Sequence, residues 1–318
     1  MLDSRRAQAW YRIQSTLAVT TGTALGNLWA EKVDPDRIAA SWAAQIPTAT
    51  DIVVAQSVTA ASGAGLYVAA SVGSPEPVKV NALRLVDRER IASQLFSGAI
   101  RSIGRINRGI PIDEAMNSGK GLTQLIGAQA TRDTARDAVG IAQVADTRTA
   151  GWVRYLQTPS CGRCAILAGR FYTWSDGFKR HPACDCAHRP VGYGEDVMEA
   201  RASVTDPKQY FNSLSEADQN KLFGPGVSEE IRGGKNISKA VNVDRSGMIR
   251  DPRKRSVGDL PRPILDGVMA EVNGDRVKAV QRLKDYGLIN DSGQRTKFQA
   301  KKDRGRRLET SAPRLLLP

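Results

Sequence analysis

The segment from Cys161 to His188 reads CGRCAILAGRFYTWSDGFKRHPACDCAH, and it holds every cysteine and histidine of the chain. Four Cys and two His in 28 of the 318 residues are the protein's whole supply of thiol and imidazole groups. A Cys-x2-Cys pair opens the segment, and a His-Pro-x-Cys-x-Cys sequence closes it. In a reducing compartment, clustered cysteines bind a metal more often than they form disulfides. The segment therefore predicts a metal site.

The spacing within this segment favours a structural zinc ion. A Cys-x2-Cys turn places two thiolates at the separation that adjacent positions of a tetrahedral ion require. The predicted ligands are Cys161, Cys164, His181, Cys184 and Cys186. More candidates than a tetrahedral ion can use indicate a closed site, whereas a catalytic zinc keeps an open position. A cluster of reduced thiols and a disulfide pair are the alternatives.

The second half of the segment leaves the exact ligand set open. The preferred set joins Cys161, Cys164 and Cys186 with either Cys184 or His181, and His188 is a spare candidate. We expect Cys184 and Cys186 to point to opposite faces of an extended strand. One of them would then pack in the core while His181 binds the ion.

Residues before the segment predict a helical region followed by a strand. Apolar residues at three- and four-residue spacing predict helices within 4–45, 51–72, 80–106 and 111–146. Ser118-Gly119-Lys120-Gly121 is expected to interrupt the last of these helices. From Gly151 the period changes, and residues 152–156 alternate apolar and polar side chains as a strand does.

An uncharged stretch at 52–75 is long enough to span a bilayer. It contains Gln56, Thr59 and several serines, which would need polar partners in lipid. We therefore predict a small-residue helix buried in a bundle and no membrane partner. The N-terminus has no apolar block with a cleavage site behind it, so a secretory signal is not expected.

Positive charge is concentrated after the metal segment. The chain carries a net charge of +13, and residues 245–318 hold 18 Lys and Arg against 9 Asp and Glu. The other 244 residues hold 28 against 24. Residues 251–255 are predicted to form a linker, 264–288 a helical pair around Gly274, and 297–307 a basic tail. Such a basic end favours an anionic partner, most commonly nucleic acid.

Together these features predict an α+β fold in three parts. Residues 1–149 form an α-helical N-terminal region, and 150–242 form a small α/β core braced by a Cys/His metal site. Residues 243–318 form a basic helical C-terminal extension.

Parts of this sequence resemble the phage Mu F-like family of minor capsid and head-morphogenesis proteins. The similarity includes Trp152 on its strand, Cys161-Gly-Arg-Cys164, Ala168-Gly-Arg-Phe171 and His181-Pro-Ala-Cys184-Asp-Cys186. A second, weaker block of similarity extends from Tyr210 to Asn242. The two blocks cover under a third of the chain, within 150–242.

The resemblance implies a low-copy protein of the capsid interior, which assembles with the portal and major capsid proteins in the host cytoplasm. Such proteins are associated with procapsid assembly and with packaged DNA. The basic residues of 245–318 suit contact with that DNA, and an acidic scaffold or capsid surface is the alternative partner. A disulfide formed after particle release is the corresponding alternative to zinc.

Some relatives of this type are labelled capsid maturation proteases, so an enzyme is a competing hypothesis. A serine or cysteine protease usually needs a histidine base, and both His181 and His188 belong to the predicted metal segment. The chain has no Gly-x-Ser-x-Gly elbow and no His-Glu-x-x-His helix. A zinc-braced DNA-binding protein or nuclease is a further alternative. We expect a structural role without catalysis.

Overall fold

The computed structural model describes residues 2–177, 184–237 and 264–290. Its N-terminal helices are α1 (Leu2–Lys32), α2 (Ile38–Ser62), α3 (Ala64–Val72), α4 (Arg88–Ile106) and α5 (Ile112–Ala145), with a 3-10 helix at Ala82–Leu85. The strands are β1 (Lys79–Val80), β2 (Thr149–Tyr155), β3 (Phe171–Thr173), β4 (Ala187–Gly192) and β5 (Ile289–Asn290). The later helices are α6 (Gly162–Leu167), α7 (Val197–Ala202), α8 (Pro207–Ser213), α9 (Glu216–Phe223), α10 (Pro225–Arg232), α11 (Ile264–Glu271) and α12 (Arg276–Asp285). This helix-rich α+β structure confirms the predicted fold class.

Helix α5 is the centre of the N-terminal region and packs against α1, α2, α3 and α4. Trp29 of α1 meets Trp42 of α2 with ring centroids 4.9 Å apart. The Trp42 indole N–H donates to the backbone carbonyl of Leu95 in α4 at 2.9 Å. A buried indole normally finds such an acceptor, so this bond allows a tryptophan to fill the bundle core.

Helix α4 begins at Arg88, later than the predicted start near residue 80. The Asp87 side chain accepts a hydrogen bond from the Arg90 backbone N–H at 3.0 Å and so caps the first turn. Val80, at the start of the predicted helix, belongs instead to strand β1.

The predicted interruption of α5 was wrong, because the helix runs through residues 118–121 without a break. Gly119 lies where α5 crosses α4. A Cβ atom there would stand 2.0 Å from Ser102 Oγ and 2.6 Å from the carbonyl oxygen of Gly98. The glycine therefore serves close approach of two helix backbones, whereas the sequence alone suggests a turn.

Replacing Gly119 with alanine is expected to destabilise the protein by about 1–3 kcal/mol, because the added methyl group overpacks the α4–α5 crossing. Urea unfolding followed by circular dichroism measures the change. Gly121→Ala is the matched control, since no atom lies within 4 Å of a Cβ built at that position. The control should be neutral or more stable by about 0.5–1 kcal/mol, as alanine favours a helix over glycine. Equal effects of the two variants would contradict the close-packing explanation.

The uncharged stretch at 52–75 forms the C-terminal part of α2 and all of α3. Residues Ile38–Val72 are long and apolar enough to cross a membrane, but 56% of the most apolar window is buried inside the protein. Val53 and Val68 are fully buried, and Gly73 ends α3 with φ 71°. Packing inside a bundle is the predicted arrangement, and core helices of globular proteins have the same length and composition.

Strand β2 is the middle strand of a three-stranded antiparallel sheet in the order β3–β2–β4. Trp152 pairs with Tyr172 on one side and with Pro190 on the other. The Trp152 and Tyr172 rings stack with centroids 4.2 Å apart. The strand predicted at 152–156 is thus confirmed, and it runs from Thr149 to Tyr155. Its neighbours β3 and β4 both begin within the segment from Cys161 to His188.

The C-terminal helical pair packs on the same core as the sheet. Helices α11 and α12 lie around Gly274 as predicted. Leu265, Leu283 and Ile289 belong to one buried apolar cluster together with Trp152. Strand β5 pairs antiparallel with β1, which joins the end of the described chain to its N-terminal region.

The predicted linker at 251–255 and the basic tail at 297–307 lie outside the described residues. The division of the chain after residues 149 and 242 stays a prediction.

Candidate metal centre

The Cys-x2-Cys pair lies at the start of helix α6, directly after the central strand. Cys161 is the N-cap residue, and its sulfur accepts a hydrogen bond from the Cys164 backbone N–H at 3.4 Å. Gly162 follows the cap, and a Cβ atom there would stand 2.4 Å from the carbonyl oxygen of Leu222. The small cluster of Phe211, Phe223 and Ile231 packs on α6 from this side. The predicted tight turn is therefore fixed by its packing.

Three sulfur atoms meet where α6 faces the chain leading into β4. The Sγ atoms of Cys164, Cys184 and Cys186 lie within 4.8 Å of one another. Cys164 Sγ is 3.5 Å from Cys184 Sγ. All three side chains are buried, with at most 1% of each residue exposed. The four cysteines, all within the described residues, form no disulfide.

The expected opposite orientation of Cys184 and Cys186 was wrong. Both sulfurs lie in the same group with Cys164. Residues two apart in extended chain share a face, because the side-chain period of a strand is two. It is the intervening Asp185 that turns away. Its carboxylate accepts hydrogen bonds from the hydroxyls of Tyr11 and Ser160, each at 3.0 Å.

The arrangement fits a thiolate-bound metal ion. With Zn–S bonds of about 2.3 Å, a tetrahedral ion sets its sulfur ligands about 3.8 Å apart. That value lies between two distances in the cluster. The Sγ atoms of Cys164 and Cys184 are 3.5 Å apart, and no two of the three Sγ atoms are more than 4.8 Å apart. Buried soft donors of this type select thiophilic ions. The three-cysteine cluster is thus compatible with a metal.

The fourth ligand stays a prediction. The Cys161 sulfur is beside Cys164, but among the described residues it does not belong to the group within 4.8 Å. His181 lies outside the described residues. His188, the spare candidate, is buried on β4 with its ring edge against Trp152 at a centroid distance of 4.4 Å.

The neighbouring groups favour the thiolate form of Cys184. Hydrogen bonds with the Cys164 and Cys186 thiols hold the pKa of Cys184 well below its usual value. The guanidinium groups of Arg136 and Arg154 act in the same direction. Both arginines are buried, with 4% and 2% of the residue exposed. The thiolate is the form of cysteine that binds metals, so this environment prepares Cys184 as a ligand.

Sequence reasoning missed Arg136 altogether. It lies in the Ala-rich centre of α5, 48 and 50 residues before the carbonyl groups that it contacts. The sequence offered no signal for it, because Arg136 lies among other charged residues, Arg132, Asp133 and Asp137, as on a solvent-facing helix surface. Tyr11, 174 residues from Asp185, gave none.

Comparison with known proteins supports a viral origin. The model of the family described as VG15 protein matches residues 1–217 of the 318. The match extends from the helical N-terminal region through the cysteine cluster to the start of helix α9. No curated protein and no solved structure matches the chain.

Proposed function

Because this chain belongs to the VG15 family of viral (phage) proteins, we propose that it is a minor capsid protein of the Mu F-like type. It acts structurally at the portal and capsid interior during procapsid assembly and DNA packaging. The family membership associates the protein with the virion or the infected host cell. The buried three-sulfur cluster carries the structural part of the proposal.

A closed site supports bracing over catalysis. At most 1% of Cys164, Cys184 and Cys186 is exposed, whereas a catalytic zinc keeps a position open to water or substrate. In our proposal these three cysteines hold a zinc ion, with Cys161 or His181 as the fourth ligand. The ion supplies a cross-link between α6 and the chain entering β4.

The charge distribution supports DNA as the partner inside the capsid. Residues 245–318 carry 18 of the 46 Lys and Arg and only 9 of the 33 Asp and Glu. Neutralised phosphates release counterions, and the resulting affinity does not depend on sequence. That property suits a protein exposed to a packaged genome. An acidic scaffold or capsid surface is the alternative outcome, and the portal and major capsid proteins are the proposed assembly partners.

The proposed location predicts that the protein copurifies with phage particles. Procapsids and mature virions should both contain it, at low copy relative to the major capsid protein, as quantified by mass spectrometry. Trypsin added to intact particles should leave it uncut, and the same trypsin should digest it after the particles are disrupted. Absence from both particle types, or digestion in intact particles, would contradict a role in the capsid interior.

One further assay separates the enzyme hypothesis. The purified protein incubated with unprocessed major capsid protein should produce no cleavage. Cleavage that disappears in a His188→Ala variant would favour a maturation protease over the structural role.

A further inference from the structure

Arg136 holds the backbone of the Cys-x-Cys segment from the helical side. Its Nε donates to the carbonyl oxygen of Cys186 and its Nη2 to that of Cys184, each at 2.6 Å. Its Nη1 donates to Asp133 Oδ1 at 2.8 Å. Asp133 lies one turn earlier on α5, and its side chain is 17% exposed. One guanidinium group thus joins a rigid helix to the two carbonyl groups that flank Asp185.

The other side of this segment is also held. The Asp185 carboxylate accepts hydrogen bonds from Tyr11 on α1 and from Ser160 before α6. With the carbonyls of residues 184 and 186 bound to Arg136 and the side chain of 185 bound opposite, the peptide units have little freedom to rotate. The sulfurs of Cys184 and Cys186 are thereby directed to the same point as that of Cys164.

We propose that Arg136 is a positioning residue of the metal centre, which fixes the orientation of Cys184 and Cys186 before the ion binds. This inference rests on the proposed zinc site. Groups that orient metal ligands from outside the coordination sphere commonly change metal affinity when they are removed. Here the orienting group acts on the ligand backbone rather than on a ligand side chain.

Arginine is suited to this task and lysine is not. The planar guanidinium group presents several N–H donors in a fixed fork, so it contacts two carbonyls and a carboxylate at once. A lysine ammonium is a single point on a flexible stem and cannot hold both carbonyls in one orientation. Arg136→Lys therefore keeps the positive charge and removes the fixed fork of N–H donors.

The test measures zinc affinity of the full-length chain by competition with a chromophoric chelator. We expect Arg136→Lys to lower affinity by about 10- to 100-fold. Its Co²⁺ form should show weaker thiolate-to-metal charge-transfer absorption than the wild type. Asp133→Asn removes the negative charge that pairs with the guanidinium group and keeps an acceptor oxygen, so it should lower affinity by a smaller factor. It is the second variant if Arg136→Lys does not fold.

Arg276→Lys is the matched control. Arg276 also donates to backbone carbonyls, including those of Val144 at 2.9 Å and Gln143 at 2.8 Å, but at the end of α5 away from the cysteines. The control should lower the melting temperature of the apo and zinc-bound protein alike and leave zinc affinity unchanged. Arg136→Lys should instead reduce the increase in melting temperature that zinc produces.

Two results would overturn the inference, and they are distinguishable. If the wild type binds zinc and both Arg136→Lys and Asp133→Asn bind it equally tightly, the positioning role fails while the metal centre stands. If the wild type binds neither Zn²⁺ nor Co²⁺, the metal centre fails and the role of Arg136 fails with it.

Discussion

Replacing Cys164 with serine is expected to abolish zinc binding and to unfold the region around the three-stranded sheet. Cys164 is the cysteine that links α6 to the other two sulfurs, at 3.5 Å from Cys184. Structural zinc contributes about 10–16 kcal/mol of apparent binding free energy in small domains, and binding there is coupled to folding. That is as large as the total stability of a typical domain, about 5–15 kcal/mol. The loss of stability should therefore exceed that of any other single substitution in this region.

The measurement combines elemental analysis with thermal unfolding. The wild type should contain about one zinc per chain and melt at a markedly lower temperature when a strong chelator removes the ion. Cys164→Ser should contain none and behave like the chelated wild type. A Cys164→Ser protein with one zinc per chain and an unchanged melting temperature would refute the metal centre.

The same assay assigns the fourth ligand. Cys161→Ser and His181→Ala each remove one of the two candidates. Only replacement of the residue that binds the ion should lower zinc affinity strongly. Cys161 is half-buried at the cap of α6, so its replacement by serine keeps a capping oxygen and should preserve the helix start.

Two C-terminal truncations, one after Asp244 and one after Asn290, should differ in whether the shortened protein folds. Ending the chain after Asp244 removes α11, α12 and β5, whose Leu265, Leu283 and Ile289 are buried in the main apolar cluster. Each such side chain contributes about 1.5–3 kcal/mol when buried. We expect this shorter protein to be insoluble or unfolded. It cannot serve to locate DNA binding.

Ending the chain after Asn290 keeps every described helix and strand, and on that basis we expect a folded protein. Residues 291–318 contain 8 Lys and Arg and 3 Asp and Glu. If this basic part binds DNA, the slope of log affinity against log salt should become shallower by about 0.9 for each phosphate that the shorter protein no longer neutralises. Fluorescence anisotropy with double-stranded DNA at several salt concentrations measures the slope. An identical slope in both proteins would exclude residues 291–318 as the DNA-binding part.

Much of the fold could be predicted because it depends on local patterns. The helical stripes, the strand at Trp152 and the pair around Gly274 each follow from spacing within a few residues. One exception is the start of α4, which lies at Arg88 and not near residue 80, and another is α5, where Gly119 suggests a turn. The reason for that glycine is Ser102 and Gly98 on another helix, and no local pattern records such a neighbour.

The candidate site could be predicted in part for the same reason. Clustering pointed to five candidate ligands, since so few other residues could bind a thiophilic ion: Cys161, Cys164, His181, Cys184 and Cys186. The structure brings Cys164, Cys184 and Cys186 together. The residues that direct those ligands could not be identified. Arg136 and Tyr11 act through contacts 48 to 174 residues apart in sequence, which only the folded chain brings together.

The pairing of β1 with β5 has a consequence for how the protein folds during its synthesis. Val80 is matched with Ile289, so an early part of the chain receives its partner only after about 200 more residues have been synthesised. At about 5–20 residues per second, that delay is roughly 10–40 s. During this interval, the apolar surface of the N-terminal helices that α11 and α12 later cover stays exposed. We therefore expect the unfinished chain to be more prone to aggregation than the complete one.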